Sequence, residues 1–413
     1  MRKPLIIVSS LIVAAALAWA GNFYWQHLRG LGPAVKGPPQ DIAKLLAPEA
    51  DGADKSPQKV PFPLKLPPGF TISIFAKSLG SPRVLAQDPG GTLIASIPAQ
   101  GRVVALPDKD QDGMADAVVT VAQNLSRPHG MIFRQEGGKN KLYIAEVEQL
   151  AVYDYDEKNF QATHKKKILD LPGGGRHWTR TMVFLPPPDN RLLISVGSSC
   201  DTCVEKDWRY AKVLSANPDG SNFKVFSSGL RNAVFMALHP LTKQVWVTEM
   251  GRDFLGDDLP PDEINILQEG KDYGWPYCYG KQIHDSQFDP KAAKKDFCKQ
   301  TVPSYLDLQA HSAPLGLAFF PETGWPQEYR HHLLVAFHGS WNRSVPTGYK
   351  VVRIKFDEKG NYLGIEDFIT GWLTGQGALG RPVDLVIKSN GEIYISDDKA
   401  GVVYRVVYNN MMK

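Results

Sequence analysis

Two patterns are almost absent from this sequence: helical periodicity beyond residue 50, and basic tracts interleaved with aromatic residues. Amphipathic helices repeat apolar residues every three or four positions, so the scarcity of that pattern excludes a helical bundle. Nucleic-acid-binding domains concentrate Lys and Arg on one surface. Here 47 basic and 43 acidic residues leave a formal net charge of only +4. We therefore expect a β-rich protein with no nucleic-acid partner.

Cysteine is also scarce, with four residues in a chain of 413. Attachment of a c-type haem needs a histidine directly after Cys203, but Val204 stands there, which excludes haem at this motif. An even number of cysteines in an exported protein permits disulfides. Proximity in sequence predicts the pairs Cys200–Cys203 and Cys278–Cys298, and a four-cysteine zinc site is the alternative.

The first twenty residues have the pattern of an export signal. Arg2 and Lys3 precede a nearly continuous apolar run over residues 5–17, and Ala-Trp-Ala at 18–20 supplies a small-x-small cleavage pattern. An uncleaved membrane anchor is the alternative, and it would be the only contact with a membrane. Residues 21–60 contain many Gly, Pro and polar residues, which predicts a linker. Both interpretations predict a periplasmic or secreted protein.

Short apolar strands that follow turn residues recur six times along the chain. Their anchor residues are spaced 49, 50, 53, 88 and 60 positions apart and are Leu93, Leu142, Leu192, Val245, Leu333 and Ile393. Four of these spacings are near the length of one propeller blade, and the longest spacing holds an insertion. The sequence therefore predicts an all-β fold, a six-bladed β-propeller over residues 61–410, with a pair of β-sandwiches as the alternative.

Several segments, taken in order, resemble one family. They are Gly-Gly-Gly-Arg-His-Trp-Thr-Arg at 173–180, Ser-Val-Gly-Ser-Ser-Cys at 195–200, Ser-Gly-Leu-Arg-Asn at 228–232, Thr-Glu-Met-Gly-Arg-Asp at 248–253, Asp-Glu-Ile-Asn at 262–265 and Asp-Tyr-Gly-Trp-Pro at 272–276. This order is similar to the soluble quinoprotein sugar dehydrogenases, six-bladed propellers that use pyrroloquinoline quinone (PQQ) and calcium. Residues 200–203 and 339–343 resemble the sorbosone dehydrogenase-like branch. The resemblance covers residues 62 to 408.

The resemblance implies which residues bind the quinone. PQQ carries three carboxylates, and Arg pairs with carboxylates through a planar, bidentate fork. Arg231 and Asn232 stand where the family binds the quinone, and Arg381 stands in the matching loop of the last blade. Arg343 is expected to replace a cation that the family presents from the fifth blade.

His177 is the expected catalytic base by the same resemblance. Oxidation of an alcohol or hemiacetal requires removal of the hydroxyl proton, and a neutral imidazole can accept it near neutral pH. Arg176 and Ser198 stand where related enzymes often carry acids, which leaves substrate recognition open. His129 and His311 are secondary candidates; each could also be a hydrogen-bonded loop histidine.

Calcium is expected at two places. The resemblance implies that the main-chain carbonyls of Gly251 and Arg252 face an ion beside the cofactor. Glu263, with the main chain of Tyr273, matches a second, structural site. Separately, residues 108–113 begin like an EF-hand loop, but Val119 replaces the bidentate Glu at loop position twelve. That loop is either a calcium site or a solvated acidic turn.

Together these residues predict a PQQ- and calcium-dependent dehydrogenase. It would oxidise a sugar or sugar aldehyde of the aldose or sorbosone type and pass electrons to an extracytoplasmic acceptor. The alternatives are a calcium-dependent propeller lactonase and a non-catalytic propeller that binds carbohydrate or protein, because a propeller fold does not determine activity.

Overall fold

Short apolar segments form the inner strands of six antiparallel sheets, five with four strands and one with five, in the computed structural model, which describes residues 2–47 and 58–409. All five residues of Leu93–Ile97, Leu192–Val196 and Leu333–Phe337 are buried. These strands are apolar except for Ser96 and Ser195, because each sheet packs between two neighbouring sheets and neither face meets water. Met1, residues 48–57 of the predicted linker, and residue 410 of the predicted domain lie outside the described residues.

The six sheets follow one another along the chain as propeller blades. The first blade contains Leu85–Gln87, Leu93–Ile97, Arg102–Leu106 and Val119–Ala122. The second contains Met131–Glu136, Lys139–Ala145, Gln149–Asp156 and Gln161–Asp170. The third contains Met182–Phe184, Leu192–Val196, Lys212–Ala216 and Lys224–Ser228. The fourth contains Ala233–Leu238, Val245–Glu249, Asp262–Ile266 and Leu306–Leu308. The fifth contains Pro314–Phe319, Leu333–Phe337, Lys350–Phe356 and Tyr362–Ile369.

The sixth blade joins the two ends of the chain. Its strands Pro382–Ile387, Glu392–Asp397 and Val402–Tyr408 are followed in the sheet by Phe70–Ala76 and the short strand Gln58–Lys59. The register pairs Phe70 with Tyr408 and Ile72 with Val406. This pairing closes the ring and removes a sheet edge that would otherwise be open to other strands.

Every sequence anchor lies in the second strand of its own blade, so the prediction of a six-bladed propeller is confirmed. The long spacing between the fourth and fifth anchors holds an insertion, as predicted. It consists of a hairpin of Cys278–Tyr279 with Ile283–His284, and a short helix, Lys295–Cys298. Outside the blades there are also a hairpin of Leu373–Thr374 with Gly377–Ala378 and a 3-10 turn at Pro98–Gln100.

Both predicted disulfides are formed. Cys200 is bonded to Cys203, and Cys278 is bonded to Cys298, so all four cysteines are oxidised. This pairing excludes the four-cysteine zinc site, because zinc binds thiolates.

The N-terminal part of the chain is helical. It contains the helix Arg2–Phe23, the π-helical turn Tyr24–Leu28 and the short helices Gly32–Val35 and Gln40–Leu45. In the described part of the chain, no helix is both long enough and apolar enough to cross a membrane. The π-helical turn and the two short helices lie within residues 21–60, so the region predicted as a linker contains ordered elements. Ile42 and Leu46, four residues apart on one helical face, are buried against the propeller core.

Candidate active site

Loops at one end of the propeller enclose a cavity of about 250 Å³. Most of them either precede the first strand of a blade or follow the second, and antiparallel strands bring both kinds to the same end of the ring. The cavity is lined mainly by polar and charged residues: Arg176, His177, Arg231, Asn232, Met250, Gly251, Asp253, Asp262, His311, Ala313, His338, Gly339, Trp341, Asn342 and Arg381.

His177 lies in the wall of this cavity. Its Nδ1 is 3.1 Å from the carbonyl oxygen of Ser198 and 2.9 Å from the Ser198 hydroxyl oxygen. A carbonyl oxygen only accepts, so Nδ1 carries the proton and donates it, which leaves Nε2 as an unprotonated acceptor. Burial, followed by the nearby charges of Arg231 and Arg176, lowers the pKa of His177 to about 2. The imidazole is therefore neutral in the free protein.

Gly197 makes the position of His177 sterically possible. A Cβ at residue 197 would lie 2.6 Å from the Cβ of His177 and 2.6 Å from Oδ1 of Asn232. Only a residue without a side chain therefore allows the histidine and the asparagine to approach each other across this strand end.

Arg231 is a buried cation, 3% exposed, at the centre of a charged network. Its Nη2 donates to Oδ1 of Asp201 at 2.7 Å and to Oδ2 of Asp253 at 3.3 Å. Its Nε and Nη1 donate to the carbonyls of Asp201 and Met250. The described residues thus use four of its five N–H groups, and one remains for a ligand.

Asp253 balances the positive charge on this wall. Its carboxylate accepts from Arg176 at 2.6 Å and from the Asn342 side chain at 2.7 Å, in addition to Arg231. Burial raises its pKa. Arg176 and Arg231 thus share Asp253, and Asp201 supplies a second carboxylate to Arg231, so two carboxylates offset the two guanidiniums when both are ionised.

Arg381 lines the same cavity, but its guanidinium has different hydrogen-bond partners from that of Arg231. Its Nε and Nη2 donate to the carbonyls of His338 and Gly339, at 3.0 and 2.6 Å. No carboxylate within salt-bridge distance faces it in the described part of the chain. Neighbouring His338 pairs through Nε2 with Asp398 at 2.8 Å. Burial, and then the charge of Arg381, lowers the pKa of His338 to about 4.

The structure thus brings together His177, Arg231, Asn232, Arg381 and Gly251. It does not bring Arg343 to this cavity. The Arg343 guanidinium pairs with Asp258 at 2.8 Å, because the loop presents Trp341 and Asn342 to the cavity and turns residue 343 away.

The two secondary candidates, His129 and His311, lie in different places. His311 lines the cavity, and its Nε2 lies 2.8 Å from the carbonyl oxygen of Gly256. His129 is fully buried outside the cavity lining and bonds to the carbonyl of Arg180.

Sequence reasoning missed several residues of this wall, among them Asp253, His338, Trp341 and Asn342. The signal was available for three of them, because Asp253 ends the family-like segment 248–253, and Trp341 and Asn342 lie in the family-like segment 339–343. From segment 339–343 only the arginine was chosen as a candidate, since cations are expected around carboxylates.

A second, enclosed cavity of about 20 Å³ lies beside the first. It is bordered by Glu249, Gly251, Arg252, Glu263 and Tyr273, among others. Burial raises the pKa of both glutamates, and each lies near the charge of another acid. Glu263 accepts from the Gly280 amide and the Asn265 side chain, whereas Oε2 of Glu249 has no hydrogen-bond partner among the described residues.

The side chains of Tyr273 and Arg252, which also border this second cavity, already have partners. The Tyr273 hydroxyl donates to the carbonyl of Ile266, and the Arg252 guanidinium pairs with Asp285 at 2.8 Å. Any contribution of residues 252 and 273 to a cation would therefore come from the main chain.

The acidic loop at residues 108–113 lies in the first blade, after strand Arg102–Leu106. Carboxylate oxygens of Asp108, Asp110 and Asp116 lie within 4.8 Å of one another. Asp112 instead accepts a hydrogen bond from the Met114 amide at 2.8 Å. Calcium binding by this loop stays a prediction.

Comparison with known proteins identifies relatives over almost the whole propeller. A family model described as TrAA12-like matches residues 64–409. A protein of Borreliella burgdorferi, described as uncharacterized, is 30% identical over 365 residues, which cover 84% of this chain and 92% of that protein. The pyrroloquinoline quinone-dependent pyranose dehydrogenase of Coprinopsis cinerea is 25% identical over 399 residues, 81% of this chain and 53% of the relative. This chain thus spans about half the length of that relative.

Solved structures share the fold. The holo form of the PQQ domain of pyranose dehydrogenase from Coprinopsis cinerea has a TM-score of 0.72 at 22% identity, covering 86% of this chain and 99% of that domain. Other structural neighbours are described as PQQ-bound and calcium forms. At this level of identity the likeness concerns the propeller itself.

Proposed function

This chain belongs to the TrAA12-like family, and from that premise we propose that it is a PQQ-dependent dehydrogenase that oxidises a sugar or sugar aldehyde. The relatives named as sugar dehydrogenases support oxidation of sugars in general. One observation carries the proposal: a neutral histidine with a free Nε2 and three arginines line the same cavity.

The cavity residues fit a polyanionic cofactor. Arg381 has no ion pair, and Arg231 has one N–H group left, so both can donate to carboxylates of the quinone. Asn232 adds a neutral polar group on the same wall. Its side-chain Nδ2 donates a hydrogen bond to the Met250 sulfur at 3.5 Å. The bound quinone would supply an acceptor for a hydride, that is, for two electrons and a proton.

His177 would handle the substrate proton. Its Nε2 would accept the proton of the substrate hydroxyl. At the same time the hydrogen on the same carbon would leave with the electron pair of its C–H bond as a hydride, for which the quinone would be the acceptor. The Ser198 carbonyl keeps the ring in the tautomer that leaves Nε2 unprotonated. Positioned general bases of this kind contribute about two to four orders of magnitude in rate.

The second cavity fits a divalent cation. Two buried carboxylates that form no salt bridge among the described residues are costly to ionise, and a cation that prefers oxygen ligands would stabilise both. Glu249 and Glu263 would hold it, with main-chain oxygens around residues 251 and 273 nearby. We propose calcium as that ion, which would keep the wall of the quinone cavity in place.

A lactonase is less consistent with the cavity. Such an enzyme would need carboxylates free to bind a catalytic ion at the axis. The cavity carboxylates are Asp253 and Asp262, and both are engaged: Asp262 accepts from the Gly251 and Ala313 amides at 3.0 and 2.9 Å. Within the described residues, no other carboxylate lines this cavity.

We also propose a periplasmic or secreted location and an extracytoplasmic electron acceptor. The two disulfides support this compartment, because such bonds persist in oxidising environments. The substrate class of aldoses or sorbosone-like aldehydes comes from the family resemblance.

The test is reconstitution of purified protein with PQQ and calcium. Calorimetry should show PQQ binding, and a dye-linked assay across aldoses and aldehydes should show reduction of the dye that depends on both additions. If the folded protein neither binds PQQ nor oxidises any sugar, the proposed function is wrong.

A further inference from the structure

The N-terminal segment of residues 23–46, here called the strap, is bound at the cavity end of the propeller. Its far end is fixed in the core, where Ile42 and Leu46 are buried and the Ser78 hydroxyl donates to the carbonyl of Leu46 at 3.1 Å. Its near end contacts a loop of the fourth blade. A segment fixed at both ends is part of the folded surface rather than a free tether.

A chain of aromatic contacts leads from the strap to the cavity. The rings of Phe23 and His27 lie 5.4 and 5.6 Å from the ring of Phe254. Phe254 in turn packs edge-on against Trp341, with ring centroids 5.7 Å apart. Trp341 lines the cavity, and the Arg176 guanidinium lies 5.6 Å from its ring. All four aromatic rings are only partly buried.

Gly30 sets the distance between the strap and this rim. It is buried, and a Cβ added there would collide with the main-chain carbonyl oxygen of Arg343. That oxygen is two residues from Trp341 and belongs to backbone, so it cannot turn aside as a flexible side chain would. The close approach therefore requires glycine.

The volume of the cavity indicates what these rings contact. Sites for single organic ligands of moderate size measure roughly 300–1,000 Å³, and this cavity measures about 250 Å³. A tricyclic quinone with three carboxylates would fill it. A sugar that reacts with the quinone would then lie at the mouth of the cavity, beside Trp341 of the lining and Phe254, which packs against Trp341.

We propose that Trp341 and Phe254, held in place by Phe23 and His27 of the strap, form the subsite that binds the pyranose ring of the substrate. This inference rests on the proposed function. The apolar C–H face of a pyranose packs on the exposed aromatic faces, while its hydroxyls remain hydrated. The strap is thus part of the substrate site and determines how tightly sugars bind.

The test uses the full chain with a matched pair of variants, Gly30→Ala and Gly37→Ala. Gly37 has no atom within 4 Å of an added Cβ, so it controls for the loss of a strap glycine. Gly30→Ala should raise KM for sugars about tenfold. Turnover at saturation and the Kd for PQQ should change less than KM does, because the added methyl group meets the main chain of residues 343 and 344 and not His177, Arg231 or Arg381. Hydrogen exchange should rise in residues 252–256 and 338–343 of this variant alone.

A second variant, Phe254→Ala, removes the bridging ring without requiring any displacement of the strap. It should raise KM to the same extent and leave the Kd for PQQ unchanged. An unchanged KM in Phe254→Ala, or in Gly30→Ala with exchange raised in both loops, would overturn the inference. Failure of the proposed function is distinct, because it would appear in the unaltered protein as an absence of PQQ binding.

Discussion

The low pKa of His177 depends on residues that a ligand would alter. Burial is its largest cause, and the positive charges of Arg231 and Arg176 add to it. An anion that pairs with Arg231 would offset part of that charge and raise the pKa of the imidazole toward neutrality. The free protein thus holds the base neutral, and an anionic cofactor would make it a stronger proton acceptor.

Replacement of this base should separate chemistry from binding. His177→Gln should lower turnover by about two to four orders of magnitude and leave the Kd for PQQ within a few-fold. His164→Ala is the control, since that side chain is 81% exposed on the second blade. Single-turnover quinone reduction on the PQQ-loaded proteins measures the effect. Normal reduction in His177→Gln would remove this residue from the mechanism.

Arg231 and Arg381 should respond differently to neutral replacement. Arg381→Gln breaks no ion pair, so it should weaken PQQ binding by roughly 10- to 100-fold, the loss of one charge-assisted contact, with little change in stability. Arg231→Gln leaves Asp201 without its ion-pair partner and leaves Asp253 with Arg176 alone. It should therefore also lower the free energy of unfolding by about 3 kcal/mol.

Calorimetry and urea unfolding on both variants measure these effects. Equal losses of stability in the two variants would contradict the difference in their ion pairing.

Among the elements, the insertion of the fourth blade contains a disulfide and also contacts the buried Glu263. The Cys278–Cys298 bond closes the insertion, and the Gly280 amide inside it donates to Oε1 of Glu263 at 2.6 Å. The other disulfide, Cys200–Cys203, encloses Asp201, which pairs with Arg231. Each disulfide therefore supports a different site.

Removal of each disulfide should affect only its own site. Replacement of Cys278 and Cys298 by Ser should weaken calcium binding about 10- to 100-fold, as loss of an outer hydrogen bond to a ligand does. The matched Cys200/Cys203 pair of replacements should weaken PQQ binding instead. Titration of both variants with calcium and with PQQ decides this, and the same loss in both titrations would refute separate roles.

At the scale of the whole molecule, the ring is closed by strand pairing, and its fourth blade carries two buried acids, Glu249 and Glu263, paired in register on adjacent strands. Burial raises the pKa of Glu249 and Glu263, so without a cation the folded state holds more protons than the unfolded chain. Their raised pKa values make a contribution to stability that is present below about pH 4.5 and is lost as pH rises. A bound divalent cation reverses this trend, because it requires the ionised carboxylates.

Calcium should therefore stabilise the whole protein, and more strongly at higher pH. At a hundredfold excess over Kd the free energy of unfolding should rise by about 2.7 kcal/mol. The effect should grow between pH 5.5 and 8. Urea unfolding with calcium or a chelator measures it. Glu249→Gln should abolish the effect, and the exposed Glu358→Gln should not; a calcium effect that persists in Glu249→Gln would place the ion elsewhere.

The sequence by itself determined the blades. The anchors from Leu93 to Ile393 identified the second strand of every blade, and short-range pairing of cysteines identified both disulfides. These features are local: a strand buried on both faces is mostly apolar, and two nearby cysteines in an oxidised chain can reach each other. Resemblance then selected His177, Arg231 and Arg381 from the loops between strands.

Only the tertiary structure decided which loop residues meet. Arg343 and Trp341 belong to one motif, yet only Trp341 reaches the cavity, because the direction of each side chain depends on how the loop turns. Asp253, His338 and the strap lie in segments that are far apart in sequence. Their distances from one another are set by closure of the ring between residues 70 and 408. Contacts between blades join residues far apart in sequence, so no local pattern of polarity or spacing records them.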